Sequence, residues 1–294
     1  MKRRTMPCVP TVRVKTGPDQ FHAGDIDCST DWAPALAGCK AVIHLAGRVH
    51  QMQDRLADPL AMYRATNRDA TLALARAAAA HDVRRFIFAS TVKVNGESTR
   101  ERPFSDADVP HPADAYAQSK WEAEQGLREI GARSGMEIVI VRPPLVYGPG
   151  VRANFLRLMQ LVQSGLPLPL GSVDNRRSLV ALANLVDFFL LCVTAPSAAE
   201  KTWLISDQHD LSTAELIKLI AGAMGKPARL PRVPPALLLG AARVLGKGRA
   251  AARLLDSLQV DSTLAGRLLG WKPTISVEQG VSDTVNHFLG RSPL

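Results

Sequence analysis

Between residues 41 and 141, short apolar runs alternate with longer stretches whose apolar residues recur at helical spacing, and no other feature restricts the fold as much. Ala41-Val42-Ile43-His44-Leu45 is followed by a helix-like segment from Asn67 to Ala80, and then by Arg85-Phe86-Ile87-Phe88-Ala89. A second helix is predicted from Ala115 to Ile130 with Gly131 as its stop, leading into Glu137-Ile138-Val139-Ile140-Val141. Runs that are apolar throughout need cover on both faces, and the helices between them supply it. The βαβ repetition therefore predicts an α/β fold with a doubly wound parallel sheet. Beyond Gly150 the pattern breaks into Pro- and Gly-punctuated pieces such as Gly165-Leu166-Pro167-Leu168-Pro169-Leu170-Gly171. Two parts are expected: a main domain over residues 1–150, and a smaller lobe over 151–294 with some segments returning to the main domain. Within the lobe, Ser212-Thr213-Ala214-Glu215 reads as a capping box that opens a helix running to about Met224.

Composition narrows the function classes. With 294 residues, 46% of them hydrophobic, the chain can bury a large core without staples. Cys8, Cys28, Cys39 and Cys192 fit neither a zinc knuckle nor a disulfide ladder, so they read as reduced thiols of a cytoplasmic protein. After Met1-Lys2-Arg3-Arg4, the residues Pro7, Pro10 and Arg13 interrupt any leader-like apolar stretch, and export is not expected. The longest apolar runs, residues 186–193 and 235–242, fall far short of the roughly 20 residues that span a bilayer. The +9 formal charge looks spread along the chain with few interleaved aromatics. It reads as solvated surface that tolerates an anionic diphosphate ligand, and no nucleic-acid partner is expected. His44, His50, His81, His111, His209 and His287 show no metal-ligand spacing, so no metal is expected.

Tyr116 and Lys120, four apart on a predicted helix, share one face and can reach one ligand. Upstream, the strand ending in Ala89-Ser90-Thr91 places hydroxyls at a carboxyl end, where open α/β sheets bind ligands. A Ser/Thr at a strand end followed by Tyr-x-x-x-Lys about 25 residues later resembles the extended short-chain dehydrogenase/reductases, the NAD-dependent epimerase/dehydratase family. The resemblance implies a Rossmann-like domain and a carboxyl-terminal substrate lobe, with Thr91, Tyr116 and Lys120 catalytic and NAD or NADP as cofactor. Cofactor contacts would come from Asp25 and Ile26 in a turn at the adenine end, from Leu45, Ala46 and Gly47, from Asn67 opening a helix, and from Ser90, Tyr116, Lys120 and Pro143. Thr91, Leu145, Asn154 and Arg177 would contact a UDP-sugar. Leu269-Gly270-Trp271-Lys272-Pro273 resembles the family's packing motif near the carboxyl terminus.

Moving a hydride at a sugar carbinol needs a group that exchanges the hydroxyl proton near neutral pH, so the phenol of Tyr116 is expected to titrate below its free value of about 10, aided by Lys120 and the oxidised cofactor. Leu145 stands where UDP-galactose epimerases carry asparagine. The segment from Pro143 to Phe155 is more similar to bacterial reductases that act on UDP-linked 4-keto sugars for surface polysaccharides. A 4-keto-sugar reductase is thus the expectation, a UDP-sugar 4-epimerase the alternative, and a non-catalytic nucleotide-sugar-binding relic a third reading of another class. The resemblance also admits a homodimer. One departure stands out: no Gly-x-x-Gly-x-x-Gly turn precedes Gly24, and only residues 11–16 read as a short strand. The first βα unit is therefore expected to be absent, with weakened cofactor binding as its consequence.

Overall fold

More structure forms near the amino terminus than the glycine pattern led us to expect. In a computed structural model, which describes residues 8–13, 17, 20–49, 58–246 and 248–291, strand β1 (Thr11–Val12) pairs in parallel with β2 (Phe21–His22), and a helical turn, α1 (Ala33–Leu36), follows. The expectation that the first βα unit is absent is corrected by this strand and helix. Pro10 lacks an N–H, but its carbonyl accepts from Phe21 N at 2.9 Å, so a proline can enter the pairing from its acceptor side. Trp32 and Leu36 are buried in a core against which Phe21 and Ile26 pack, and that burial anchors the unit. Residues 14–16 of the expected strand, residues 18–19, Met1 to Pro7 and His50 lie outside the described residues.

The chain divides into two compact units. In the first, β3 (Ala41–His44), β4 (Arg85–Ala89), β5 (Glu137–Arg142) and β8 (Lys201–Leu204) form a sheet in the order β3-β4-β5-β8, with β3, β4 and β5 parallel. Helices α2 (Pro59–Arg64), α3 (Ala70–Ala80) and α4 (Ala115–Ser134) belong to this unit. Leu74, Ala78, Phe86, Phe88, Leu127 and Ile140 belong to its buried core. Two sequence expectations shift. Helix begins at Pro59, where Asp58 accepts from Ala61 N at 3.0 Å, and it reaches α3 through a π turn at Ala65–Asp69, so Asn67 lies within the helical run rather than opening it. Gly131 does not stop α4. The helix runs on to Ser134 and is capped by Gly135 at φ 78°, while a Cβ on Gly131 would stand 2.6 Å from Ile138 Cγ1. Gly131 is thus where helix and strand approach closest.

The second unit contains β6 (Leu145–Tyr147) paired in parallel with β7 (Leu179–Ala181), together with α5 (Ala153–Ser164) and residues 182–188 of α6 (Leu182–Thr194). It continues through α7 (Thr213–Ala223), α8 (Pro235–Val244), α9 (Gly248–Leu255), α10 (Thr263–Leu269) and α11 (Val277–Phe288). Its core gathers Tyr147, Phe155, Met159, Ile217, Ile220 and Val281. Tyr147 Oη donates to Asp207 Oδ2 at 2.7 Å, and that carboxylate also accepts from Ala181 N and Asn184 Nδ2. The capping box forms as expected: Glu215 N donates to Ser212 Oγ at 3.1 Å and Ser212 N to Glu215 Oε2 at 2.8 Å. Trp271 is buried edge-on to Phe188 and donates to Asp187, in keeping with a packing role.

Arg85 opens β4 with a side chain that is 1% exposed. Its Nη1 donates to the carbonyls of Cys192 (2.6 Å) and Ala195 (2.9 Å), and its Nε to Glu137 Oε2 (2.7 Å), so one cation serves the unpaired carbonyls at the end of α6. Arg85→Met is expected to lower unfolding stability by about 3 kcal/mol in denaturant titrations, because it leaves those buried acceptors without a donor.

Candidate active site

Strand β4 is followed directly by Ser90 and Thr91, both buried, and the chain turns there into a short 3-10 helix, Val92–Val94. Thr91 Oγ1 caps it by accepting from Lys93 N at 3.3 Å, and the Thr91 hydroxyl favours the phenolate form of Tyr116. Asp114 caps α4 through Ala117 N at 2.8 Å and pairs with Lys93 Nζ at 2.5 Å, which places Tyr116 in the first turn of the helix. The ring of Tyr116 meets the buried Tyr63 edge-on, with centroids 6.1 Å apart. One turn further along, Lys120 is 3% exposed, donates to Ala89 O at 2.9 Å and stands 4.4 Å from the centre of the Phe88 ring. The structure thus brings Thr91, Tyr116 and Lys120 into one cluster of the first unit.

Electrostatics run against part of the sequence argument. Burial, and secondarily the Asp114 carboxylate, push the Tyr116 phenol up to about 12, with the Thr91 hydroxyl opposing the rise. Lys120 is not among the groups that move it. Burial lowers the Lys120 amine to about 8, while the Glu124 carboxylate works in the other direction. His44 is pushed down to about 3 by burial and then by the charge of Lys120; its neutral ring shares a 2.9 Å hydrogen bond with Thr71 and stacks on Phe88.

Leu45, Ala46 and Gly47 follow β3 and are exposed. They are held from below by Asn67, which is fully buried. Its Oδ1 accepts from Arg48 N at 2.7 Å, and its Nδ2 donates to Arg48 O and to Ser119 Oγ, each at 3.0 Å. A Cβ on Gly47 would stand 3.1 Å from both Asn67 Oδ1 and Lys120 Nζ, so glycine lets the loop lie this close over those two buried groups. Asp25 is exposed and paired with Arg13 at 2.5 Å, and Ile26 packs on the core.

Sequence reasoning missed the polar network beneath this cluster. Glu124, fully buried, accepts from Ser90 Oγ at 2.5 Å and from Arg142 Nε and Nη2 at 2.9 and 2.5 Å; Arg142 Nη1 donates to Asn95 Oδ1 at 3.0 Å. Its signal was available: Glu124 continues the four-residue interval from Tyr116 through Lys120.

In the second unit, Pro143 is half-buried and Leu145, at the start of β6, is 39% exposed. Asn154 is exposed in the first turn of α5, directly after Ala153, whose φ of 53° lies in the left-handed region. Arg177 is half-buried, and its Nη1 donates to the carbonyls of Arg253 (2.8 Å) and Asp256 (3.0 Å) at the end of α9. A cavity of about 1010 Å³ in this unit is lined by Asn175 and Arg176, but not by Leu145, Asn154 or Arg177.

Comparison with known proteins places this geometry in a family. The model described as "NAD dependent epimerase/dehydratase family" matches residues 2–206. The chain is 44% identical over 271 residues to a Vibrio cholerae protein named UDP-glucose 4-epimerase, covering 92% of this chain and 83% of that one. It is 27% identical over 281 residues to GDP-6-deoxy-D-mannose reductase of Pseudomonas aeruginosa, covering 90% and 84%. The solved structure of UDP-glucuronic acid 4-epimerase from Bacillus cereus with NAD matches at a TM-score of 0.75 and 20% identity, covering 94% of this chain and 82% of that one, and so shares the fold. With a family match over most of its length and a Thr-Tyr-Lys cluster at the carboxyl end of a parallel sheet, the chain belongs to the NAD-dependent epimerase/dehydratase family.

Proposed function

We propose that the chain is an NAD(P)-dependent UDP-hexose 4-epimerase. The observation that carries this reading is the 44% identity to the Vibrio cholerae protein over 92% of the chain. The reductase relative is much more distant, so the expectation of a 4-keto-sugar reductase gives way to its alternative. The chain is an enzyme of its family rather than a binding relic. Among the described residues no helix is long and apolar enough to cross a membrane.

The residues present fit the reactive end of a nicotinamide cofactor. Gly47 lies close over the buried Asn67 and Lys120, where a Cβ would crowd both, and the exposed Leu45-Ala46-Gly47 segment follows a strand end, where such sheets bind ligands. When bound, the nicotinamide supplies and takes back hydride. Tyr116 gives a proton to, and takes one from, the 4-hydroxyl oxygen of the sugar, and the Thr91 hydroxyl favours its phenolate form. Raised by burial, Tyr116 rests as a phenol at neutral pH and is ready to donate; accepting a proton calls for a cation beside it. Lys120 is the buried cation of the cluster. Asn67 and Ser90 hold the loop and strand end in place, Asp25 and Ile26 would serve the adenine end of the cofactor, and Pro143 would be a further cofactor contact. Leu145, Asn154 and Arg177 contact the UDP-sugar, with Arg177 on its diphosphate. The guanidinium of Arg177 is already tethered by two carbonyls, which limits the freedom it would lose on binding.

UDP-glucose and UDP-galactose should interconvert without added reductant and with no net change in NAD(P)H absorbance. A requirement for stoichiometric NAD(P)H with a 4-keto sugar would restore the reductase reading instead. Tyr116→Phe should cut turnover by about 10²- to 10⁴-fold while leaving UDP-sugar binding by calorimetry and thermal melting nearly unchanged.

Glu124→Gln tests the electrostatics. The Glu124 carboxylate favours the ammonium of Lys120 and burial opposes it, so removing the carboxylate should move the Lys120 midpoint below its value of about 8. NMR titration of isotope-labelled lysine reads that midpoint directly, and the alkaline decline of kcat/KM should move to lower pH with it. An unmoved midpoint in a folded variant would reduce Glu124 to a packing element.

A further inference from the structure

Helix α8 is apolar along most of its length, yet it buries none of its residues. Leu237, Val244 and the adjoining Leu245 are 64%, 88% and 71% exposed. At helical spacing, Leu237, Ala241 and Val244 fall on one outward face with Gly240 beside them and Arg243 at its edge, while Leu238, Leu239 and Ala242 are half-buried. Helix α9 packs alongside α8. The charge in this stretch has a single sign: residues 226–255 contain seven Lys or Arg and no Asp or Glu. The chain's excess of positive charge is therefore not evenly spread as first read, and this stretch carries a large part of it. Arg253 is offset by Glu97 at 3.6 Å, whereas Arg232 and Arg243 are exposed.

We propose that α8 and its basic surroundings form a docking face for an anionic lipid surface, so that the enzyme works as a peripheral membrane protein. An apolar helical face edged by arginine matches the boundary between headgroups and acyl chains, where apolar side chains enter the bilayer and the guanidinium stays at the phosphates. Anionic lipid supplies the charge complement that the stretch lacks. A nucleic acid would use the cations but leave the apolar face in water. A second copy of the chain would bring two basic stretches face to face, a like-charge contact that opposes association.

The full chain should sediment with vesicles of phosphatidylcholine mixed with phosphatidylglycerol, and not with phosphatidylcholine alone, and added salt should weaken the binding. Leu237→Glu/Val244→Glu should reduce the bound fraction at least about tenfold without changing melting or epimerase turnover of the free UDP-sugar. Arg232→Gln/Arg243→Gln should weaken binding to the anionic vesicles in the same way, and serves as the test if the first variant does not fold. No binding to anionic vesicles, equal binding to neutral ones, or variants that bind like the parent would overturn the proposal. So would light scattering that shows a dimer which Leu237→Glu/Val244→Glu splits, since the face would then belong to a second copy.

Discussion

The buried ion pair between Glu124 and Arg142 is the constraint on which the first unit and its candidate site depend. Taking both charges out of water costs more than a solvent-exposed pair returns, so the arrangement persists only because every oxygen of the carboxylate has a donor and the guanidinium reaches a further acceptor. Ser90 and Arg142 supply those donors, and Asn95 is the further acceptor. Four segments are joined in this way: the end of β4, the turn that follows the 3-10 helix, the middle of α4 and the end of β5. Because Thr91 adjoins Ser90 and Lys120 lies one turn from Glu124, the same pair that holds the fold also sets the position of the candidate catalytic groups and the charge that Lys120 feels.

Above this network, Asn67 does for the loop after β3 what Glu124 does for the strand ends. A fully buried amide with both ends satisfied ties Arg48 to Ser119 and so joins the loop to the helix that carries Tyr116. The π turn at Ala65–Asp69 sets the register of Asn67. Such bulges are rare and often accompany functional positions. Gly47 then lets the loop lie close over the buried Asn67 and Lys120.

The pKa directions describe a site poised for protonated Tyr116. A buried phenol near about 12 and a buried amine near about 8 are both shifted toward their neutral forms, the common response to desolvation. Opposing this, the Thr91 hydroxyl favours the phenolate and the Glu124 carboxylate favours the ammonium. The sequence argument assumed that Lys120 would lower Tyr116 because the two share a helix face. Sharing a face says nothing about burial, and in the protein alone burial dominates.

The periodicity of apolar residues was enough by itself to determine β4, which runs over Arg85–Ala89 as read, the parallel sense of β3, β4 and β5 and the start of α4, and the Ser-x-x-Glu spacing determined the capping box at Ser212. These are local preferences of a chain that must cover apolar strands. The four-residue interval from Tyr116 to Lys120 and the hydroxyls ending β4 likewise made the candidate site legible. Only the tertiary structure decided that a strand and a helical turn form before β3, because their stability comes from burying Trp32 and Leu36 in a core built from distant residues. It also decided that Gly131 is a point of close approach rather than a helix stop, and that Asn67 faces inward from the middle of a helical run. The direction of each pKa shift belongs with these, since burial, hydrogen-bond closure and the distance between charges depend on segments far apart in sequence and exist only once those segments have met.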